Sequence, residues 1–243
     1  MSRSVLITGG SRGIGLATAR RLAADGDRIV LAARSAADVD RAVSEIIDAG
    51  GTASGWTGDL TEPNACRAMV EHARKVAGGI DICVLSAGIG HWASTASMTD
   101  EMWRSTMAIN VDAVFYTTRA VLPVMLEAGG GHLVYVSSVL GRRGVPNMSA
   151  YAASKAAVSA FAESVAAEVK PRGIKVTVLA PGTTATGMRE HQTDRPATPD
   201  ITDPELQLAP EDVAEAIAWV TSVSDRAFPT AVTIEPRGTR GAG

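Results

Sequence analysis

The sequence predicts a doubly wound α/β fold, a parallel sheet with helices on both faces, over a single domain of residues 1–243. Three observations carry this expectation. Apolar runs of strand length alternate with helix-length amphipathic stretches along most of the chain. The strand runs are apolar throughout rather than at every second residue, which marks strands buried on both faces. A glycine-rich turn joins the first strand to the first helix, where a chain folded this way must reverse direction tightly.

Val5-Leu6-Ile7-Thr8 reads as the first strand, and a helix follows over 13–25. A second strand is expected at 28–33 and a second helix at 36–49, stopped by Gly50-Gly51. A weak third strand at 53–57 precedes a helix at 63–77, and 81–85 is strand four. One long helical stretch, 102–128, ends at Gly129-Gly130-Gly131. Strand five at 132–137, a helix at 150–169 and strand six at 174–179 come next, then a helix at 212–223 and a short strand at 231–234. This βαβαβ order is that of a Rossmann-like fold. Residues 182–210 lack periodicity, and a loop of that length inside one domain points to a lid, placed at 183–209, rather than a boundary.

The bulk numbers exclude several classes. With 46% apolar and 20% charged residues, the 243-residue chain can bury a large core. A net charge of −3 without a basic block argues against nucleic acid or an anionic membrane as partner. No segment approaches the ~18 apolar residues of a membrane span, and the N-terminus lacks the apolar core of a signal peptide. Cys66 and Cys83 read as reduced core thiols, so a cytoplasmic setting is expected. His72, His91, His132 and His191 have no metal-ligand spacing, and no metal is expected.

Strand one runs into Thr8-Gly9-Gly10-Ser11-Arg12-Gly13-Ile14-Gly15. Glycines at 9, 13 and 15 permit a sharp turn, backbone approach by a pyrophosphate and close packing of the helix, whose N-terminus favours phosphate. A plain tight turn is the alternative. Strand two ends Leu31-Ala32-Ala33-Arg34, without the acid that would accept hydrogen bonds from an adenosine 2′-hydroxyl. Arg34 and Arg12 instead suit a phosphate monoester and so favour NADP(H); two ordinary surface arginines are the other reading.

Tyr151-Ala152-Ala153-Ser154-Lys155 puts a phenol and an ammonium on one face of a helix. A free phenol with pKa ~10 is a poor base, and lowering it by ~3 units needs roughly 4 kcal/mol of differential stabilisation, part of which a neighbouring ammonium can supply. Ser138 ends strand five, at the carboxyl edge of the sheet where ligands bind in such folds. His91, Trp92, Val139 and Met188 are candidates for a substrate pocket, whereas Arg142 and Arg143 read as solvated loop residues.

Taken in order, Thr8-Gly9-x-x-x-Gly13-Ile14-Gly15, Asn110, Ser138, Tyr151-x-x-x-Lys155 and Pro181-Gly182 resemble the short-chain dehydrogenase/reductase family over nearly the whole chain. The resemblance implies a seven-stranded parallel sheet in the order 3-2-1-4-5-6-7. It implies Tyr151 as proton donor and acceptor, Ser138 orienting the substrate oxygen, Lys155 lowering the tyrosine pKa and holding the nicotinamide ribose, and Asn110 carrying a proton relay. The implied cofactor contacts are Gly9, Ser11, Arg12, Gly13, Ile14 and Gly15, then Arg34, Asp59, Leu60, Ala87 and Gly88. Tyr151, Lys155, Pro181, Gly182, Thr184 and Thr186 complete that set. It further implies homodimers or homotetramers packed through the helix after Tyr151 and the one containing Asn110.

Two departures stand out. Leu85-Ser86-Ala87-Gly88 replaces the common Asn-Asn-Ala-Gly, so Ser86 must do without the amide that ties neighbouring strands. Thr233-Ile234-Glu235-Pro236-Arg237 lacks the Asp-Gly-Gly ending common among reducers of β-ketoacyl chains. The expected activity is an NADPH-dependent interconversion of a small or medium ketone or aldehyde and its alcohol. A 3-oxoacyl-carrier-protein reductase and a non-catalytic NADP-binding regulator are the alternatives.

Overall fold

Strand β1 (Ser4–Thr8) shows why the strand runs are apolar throughout: Val5 and Ile7 enter one core cluster and Leu6 the other. Successive side chains on a strand point to opposite faces, so helices on both faces demand apolar residues at every position. The structure, a computed structural model, describes residues 2–188, 192, 203, 206–224 and 226–237.

The remaining strands are β2 (Arg28–Ala33), β3 (Thr52–Thr57), β4 (Ile82–Leu85), β5 (Gly131–Val136), β6 (Ile174–Pro181) and β7 (Ala231–Ile234). All neighbouring pairs are parallel, and the sheet order is β3-β2-β1-β4-β5-β6-β7. The order reverses beside β1, between β2 and β4, which opens the crevice where such sheets bind ligands. Helices α1 (Gly13–Ala24), α2 (Ala36–Asp48) and the last helix, α7 (Pro210–Ser222), contribute to the core on one face. Helices α3 (Pro63–Ala77), α5 (Ala113–Ala128) and α6 (Ser149–Val169) cover the other. No described helix is long and apolar enough to cross a membrane. Cys66 and Cys83 are buried, unpaired thiols, and burial pushes both thiol pKa values up.

The structure departs from the sequence reading at one functional point. The stretch expected as a single helix over 102–128 begins earlier, at α4 (Asp100–Met107), where the Thr99 hydroxyl accepts a hydrogen bond from Met102 N. It then passes through a π-helical turn, Ala108–Asp112, before continuing as α5. A π turn holds an extra residue, and such turns cluster at functional sites. Here it carries Asn110.

Ser86 also answers the question raised by the missing amide. Its hydroxyl donates to Thr8 O at 2.6 Å, and Ala87 N lies 3.3 Å from Thr8 Oγ1, so β1 and β4 remain tied at their carboxyl ends.

Candidate active site

The turn after β1 is shaped by two steric demands. Gly9 has φ +65°, and a Cβ there would stand 2.8 Å from Ala87 Cα. A Cβ on Gly15 would stand only 2.3 Å from Gly9 O, so α1 packs against the turn at a distance no side chain permits. Both glycines are required by the fold that brings α1 onto β1 and β4.

Beyond this turn lies a groove of about 360 Å³ at the carboxyl edge of the sheet. It is lined by Gly9, Ser11, Arg12, Gly13, Ile14 and Gly15 from the turn and by Arg34 after β2. Asp59 and Leu60, Ala87 and Gly88, and Thr186 complete the predicted part of its wall. Thr186 comes from the segment after β6 and crosses the groove: a Cβ on Gly13 would lie 3.2 Å from it. Pro181, Gly182 and Thr184 stand at the end of β6 outside this lining, with Gly182 N donating to Ile234 O at 2.7 Å and Thr184 Oγ1 donating to Gly182 O at 3.0 Å. Most of the expected lid at 183–209 lies outside the described residues.

The adenosine end of the groove is charged. Arg12 and Arg34 are both exposed there. Asp59 Oδ1 accepts from Thr61 N at 2.9 Å and Thr61 Oγ1 at 2.8 Å; these bonds and the nearby Arg34 charge hold its carboxyl below the usual range. Ser35 and Asp38 also line the groove, and neither was anticipated from the sequence. Ser35 caps α2, accepting from Asp38 N at 3.3 Å. Their signal was positional: the first turn of the helix after Arg34 faces the same end.

A dinucleotide fits these residues. The phosphates would meet the glycine turn and the open N–H groups at the start of α1, which has no side-chain cap, and a 2′-phosphate would meet Arg12 and Arg34.

Outside the lining itself, beside Gly88, Asn110 and Lys155 come together with Tyr151 next to them, and Ser138 follows β5 two residues past Val136, whose carbonyl holds Lys155. Tyr151 and Lys155 lie in the first turns of α6, with Lys155 Nζ 5.7 Å from the centroid of the tyrosine ring. Lys155 is buried, donates to Val136 O at 2.8 Å, and burial pushes its pKa down to about 8. Ser138, also buried, directs its hydroxyl oxygen to Leu140 N at 3.2 Å, with Pro181 O 3.5 Å away. Asn110 is fully buried, and its amide clasps the Ile89 backbone twice: Ile89 N donates to Oδ1 at 2.8 Å, and Nδ2 donates to Ile89 O at 2.9 Å. The same Nδ2 donates to Ser154 Oγ at 2.9 Å, which in turn donates to Tyr151 O at 2.7 Å. The π turn therefore braces both the segment that follows β4 and the helix that carries the tyrosine. A Cβ on Gly88 would sit 3.3 Å from Asn110 Oδ1 and 3.5 Å from Lys155 Nζ, which sets these two residues against the groove wall.

A phenol beside a buried cation can deliver a proton. The short chain dehydrogenase family profile matches residues 3–197. Human dehydrogenase/reductase SDR family member 4 is 37% identical over 182 residues, 74% of this chain, and the match spans 66% of that relative's length. The 3-oxoacyl-[acyl-carrier-protein] reductase of Synechocystis is 34% identical over 235 residues, covering 96% of this chain and 94% of that protein. Among solved structures, the actinorhodin polyketide ketoreductase with NADPH superposes with a TM-score of 0.90 at 31% identity, covering 97% of this chain and 96% of that one.

Proposed function

The chain belongs to the short-chain dehydrogenase family, and from that premise we propose that it is an NADPH-dependent oxidoreductase interconverting a small or medium ketone or aldehyde and its alcohol. The observation that supports this reading most is the placement of Asn110 and Lys155 against Gly88, with Tyr151 beside them, next to a groove that Gly88, Arg12 and Arg34 line; Ser138 completes the proposed set. Complexes with NADPH and with NADP among the structural neighbours support the cofactor.

When bound, the dinucleotide supplies the hydride for reduction and accepts it for oxidation. The Ser138 hydroxyl donates a hydrogen bond to the carbonyl oxygen and so polarises it. The Tyr151 hydroxyl gives its proton to that oxygen as negative charge develops. Lys155, still protonated at neutral pH, favours the tyrosinate left behind. Asn110 keeps Ile89 and the first turn of α6 in place, and the proton relay drawn from the resemblance is assigned to it.

Homodimers or homotetramers packed through α5 and α6 are part of this proposal; the 39% exposed Phe115 on α5, with Arg119 over its ring, Tyr116 tilted beside it and Phe161 edge-on, is compatible with such a contact. A cytoplasmic setting fits the two unpaired thiols.

A second reading, a 3-oxoacyl-carrier-protein reductase, is favoured by the 34% identity to the Synechocystis enzyme over nearly the full length of both chains. NADPH consumption measured against free ketones, aldehydes and a carrier-linked ketoacyl substrate separates the two. Turnover of free ketones or aldehydes supports the first reading, activity confined to the carrier-linked substrate the second, and NADPH binding without turnover a regulator.

A further inference from the structure

Three segments distant in sequence meet beside the Tyr151 ring. At Gly90, a Cβ would stand 3.1 Å from Tyr151 Cδ2, 3.4 Å from Gln192 Nε2 and 3.5 Å from Met148 Cε. Gly90 is thus the point where the tyrosine, a methionine and a glutamine close around bare backbone. Gln192 is only 6% exposed, and its Nε2 donates to Gly90 O at 2.6 Å. The neighbouring Ile89 has both backbone polar groups held by Asn110. On the far side, Ala93 N donates to Asn147 O at 3.0 Å, and Asn147 takes φ +63°, a left-handed conformation unusual outside glycine. Met148, next in the chain, is buried.

We propose that Gln192 is a specificity-determining residue, which through its hydrogen bond to Gly90 forms the pocket wall beside Tyr151 and limits the size of the substituent a ketone carries on that side. The inference rests on the reductase function proposed above. A buried primary amide is costly unless its hydrogen bonds are made, so the bond to Gly90 O fixes where this side chain stands. The wall it forms has the Gly90 backbone at one point and Met148 at another, both close to the tyrosine ring. Gly90 serves the same geometry from beneath, since any side chain there meets the tyrosine ring.

The test uses the purified enzyme, an aliphatic methyl ketone and an aryl ketone, with Gln192→Ala and Gln192→Glu. Removing the side chain opens the wall: Gln192→Ala is expected to shift the ratio of kcat/KM values toward the aryl ketone by roughly tenfold or more, the scale at which a pocket reads a few methylenes. Gln192→Glu keeps the volume and sets a carboxylate against the Gly90 carbonyl. It is expected to raise KM for both ketones by about tenfold, with a smaller fall in kcat and NADPH affinity held within about twofold. The inference is overturned if the Ala variant keeps the wild-type ratio, or if both variants lose kcat and NADPH affinity in step with KM, as general damage would cause. If the unmodified enzyme reduces no ketone or aldehyde, the function itself fails, and this inference falls with it.

Discussion

Replacing Lys155 by methionine is expected to remove turnover while relieving a cost that the folded apo protein carries. Burial pushes the Lys155 pKa from 10.5 down to about 8. At about 1.4 kcal/mol per pH unit, the charged form is disfavoured in the folded protein by roughly 3 kcal/mol. The sign follows from proton counts. Below pH 8 both folded and unfolded chains hold the proton, and the full cost is present. Between pH 8 and 10.5 the unfolded chain holds more protons, so this group makes stability rise with pH; above that window the cost is gone. The ammonium also donates to Val136 O, a bond to a charged group worth roughly 1.5–3 kcal/mol, which offsets much of the gain from its removal at neutral pH. The pH dependence is therefore the sharper readout. Urea unfolding of wild type and Lys155→Met, compared at about pH 7 and about pH 10, should show the wild type gaining roughly 3 kcal/mol relative to the variant across that interval. A difference that stays constant with pH would refute the assignment of a buried, desolvated ammonium at this position.

Gly15→Ala places a methyl 2.3 Å from Gly9 O and should cost roughly 1–3 kcal/mol of stability, with NADPH affinity falling as the turn opens; an unchanged urea midpoint and dissociation constant would count against it. Arg34→Asp should weaken NADPH binding by roughly ten- to hundredfold and NADH binding far less, read by fluorescence titration at low salt; equal wild-type affinities for the two cofactors would contradict the phosphate assignment. His132 is buried against Thr177, and burial holds its pKa at about 4 against 6.5 unfolded. The unfolded chain therefore takes up the proton first, and stability should fall by about 3 kcal/mol as pH drops from 6.5 to 4; His132→Gln should flatten that part of the unfolding profile.

The central strands were legible because burial on both faces leaves few polar positions, whereas the half-exposed edge strand β3 gave only a weak signal; the groove was legible because turns and strand ends concentrate its residues in short local stretches. Arg12 and Arg34 lie 22 residues apart yet at the two strand ends that flank one crevice, so fold class alone placed them together. The π turn was invisible: an apolar pattern with one extra residue still reads as helix, and only the Asn110 clasp on Ile89 shows why the turn widens there. Ser35 and Asp38 read as a helix start and acquire their second role from what the helix faces. Gly90, Met148 and Gln192 carry no local signal at all. The bond between Gly90 and Gln192 spans 102 residues, and nothing in the spacing of a glycine and a glutamine announces a contact made only by tertiary folding. Ser86 was legible as a departure but not as a repair, since the reach of its hydroxyl to Thr8 O depends on the register of β1 against β4.

The central claim is that this chain moves a hydride from a bound nicotinamide to a carbonyl carbon, with Tyr151 supplying the proton. The direct measurement is reduction of a ketone with NADPH carrying deuterium at both positions of the transferring carbon of its nicotinamide ring, followed by mass and NMR analysis of the alcohol, for wild type and Tyr151→Phe. One deuterium is expected on the carbinol carbon of the wild-type product, in a single stereochemical sense, and no product from the Phe variant although it still binds NADPH. Alcohol without deuterium at that carbon, or full labelled turnover by Tyr151→Phe, would contradict it.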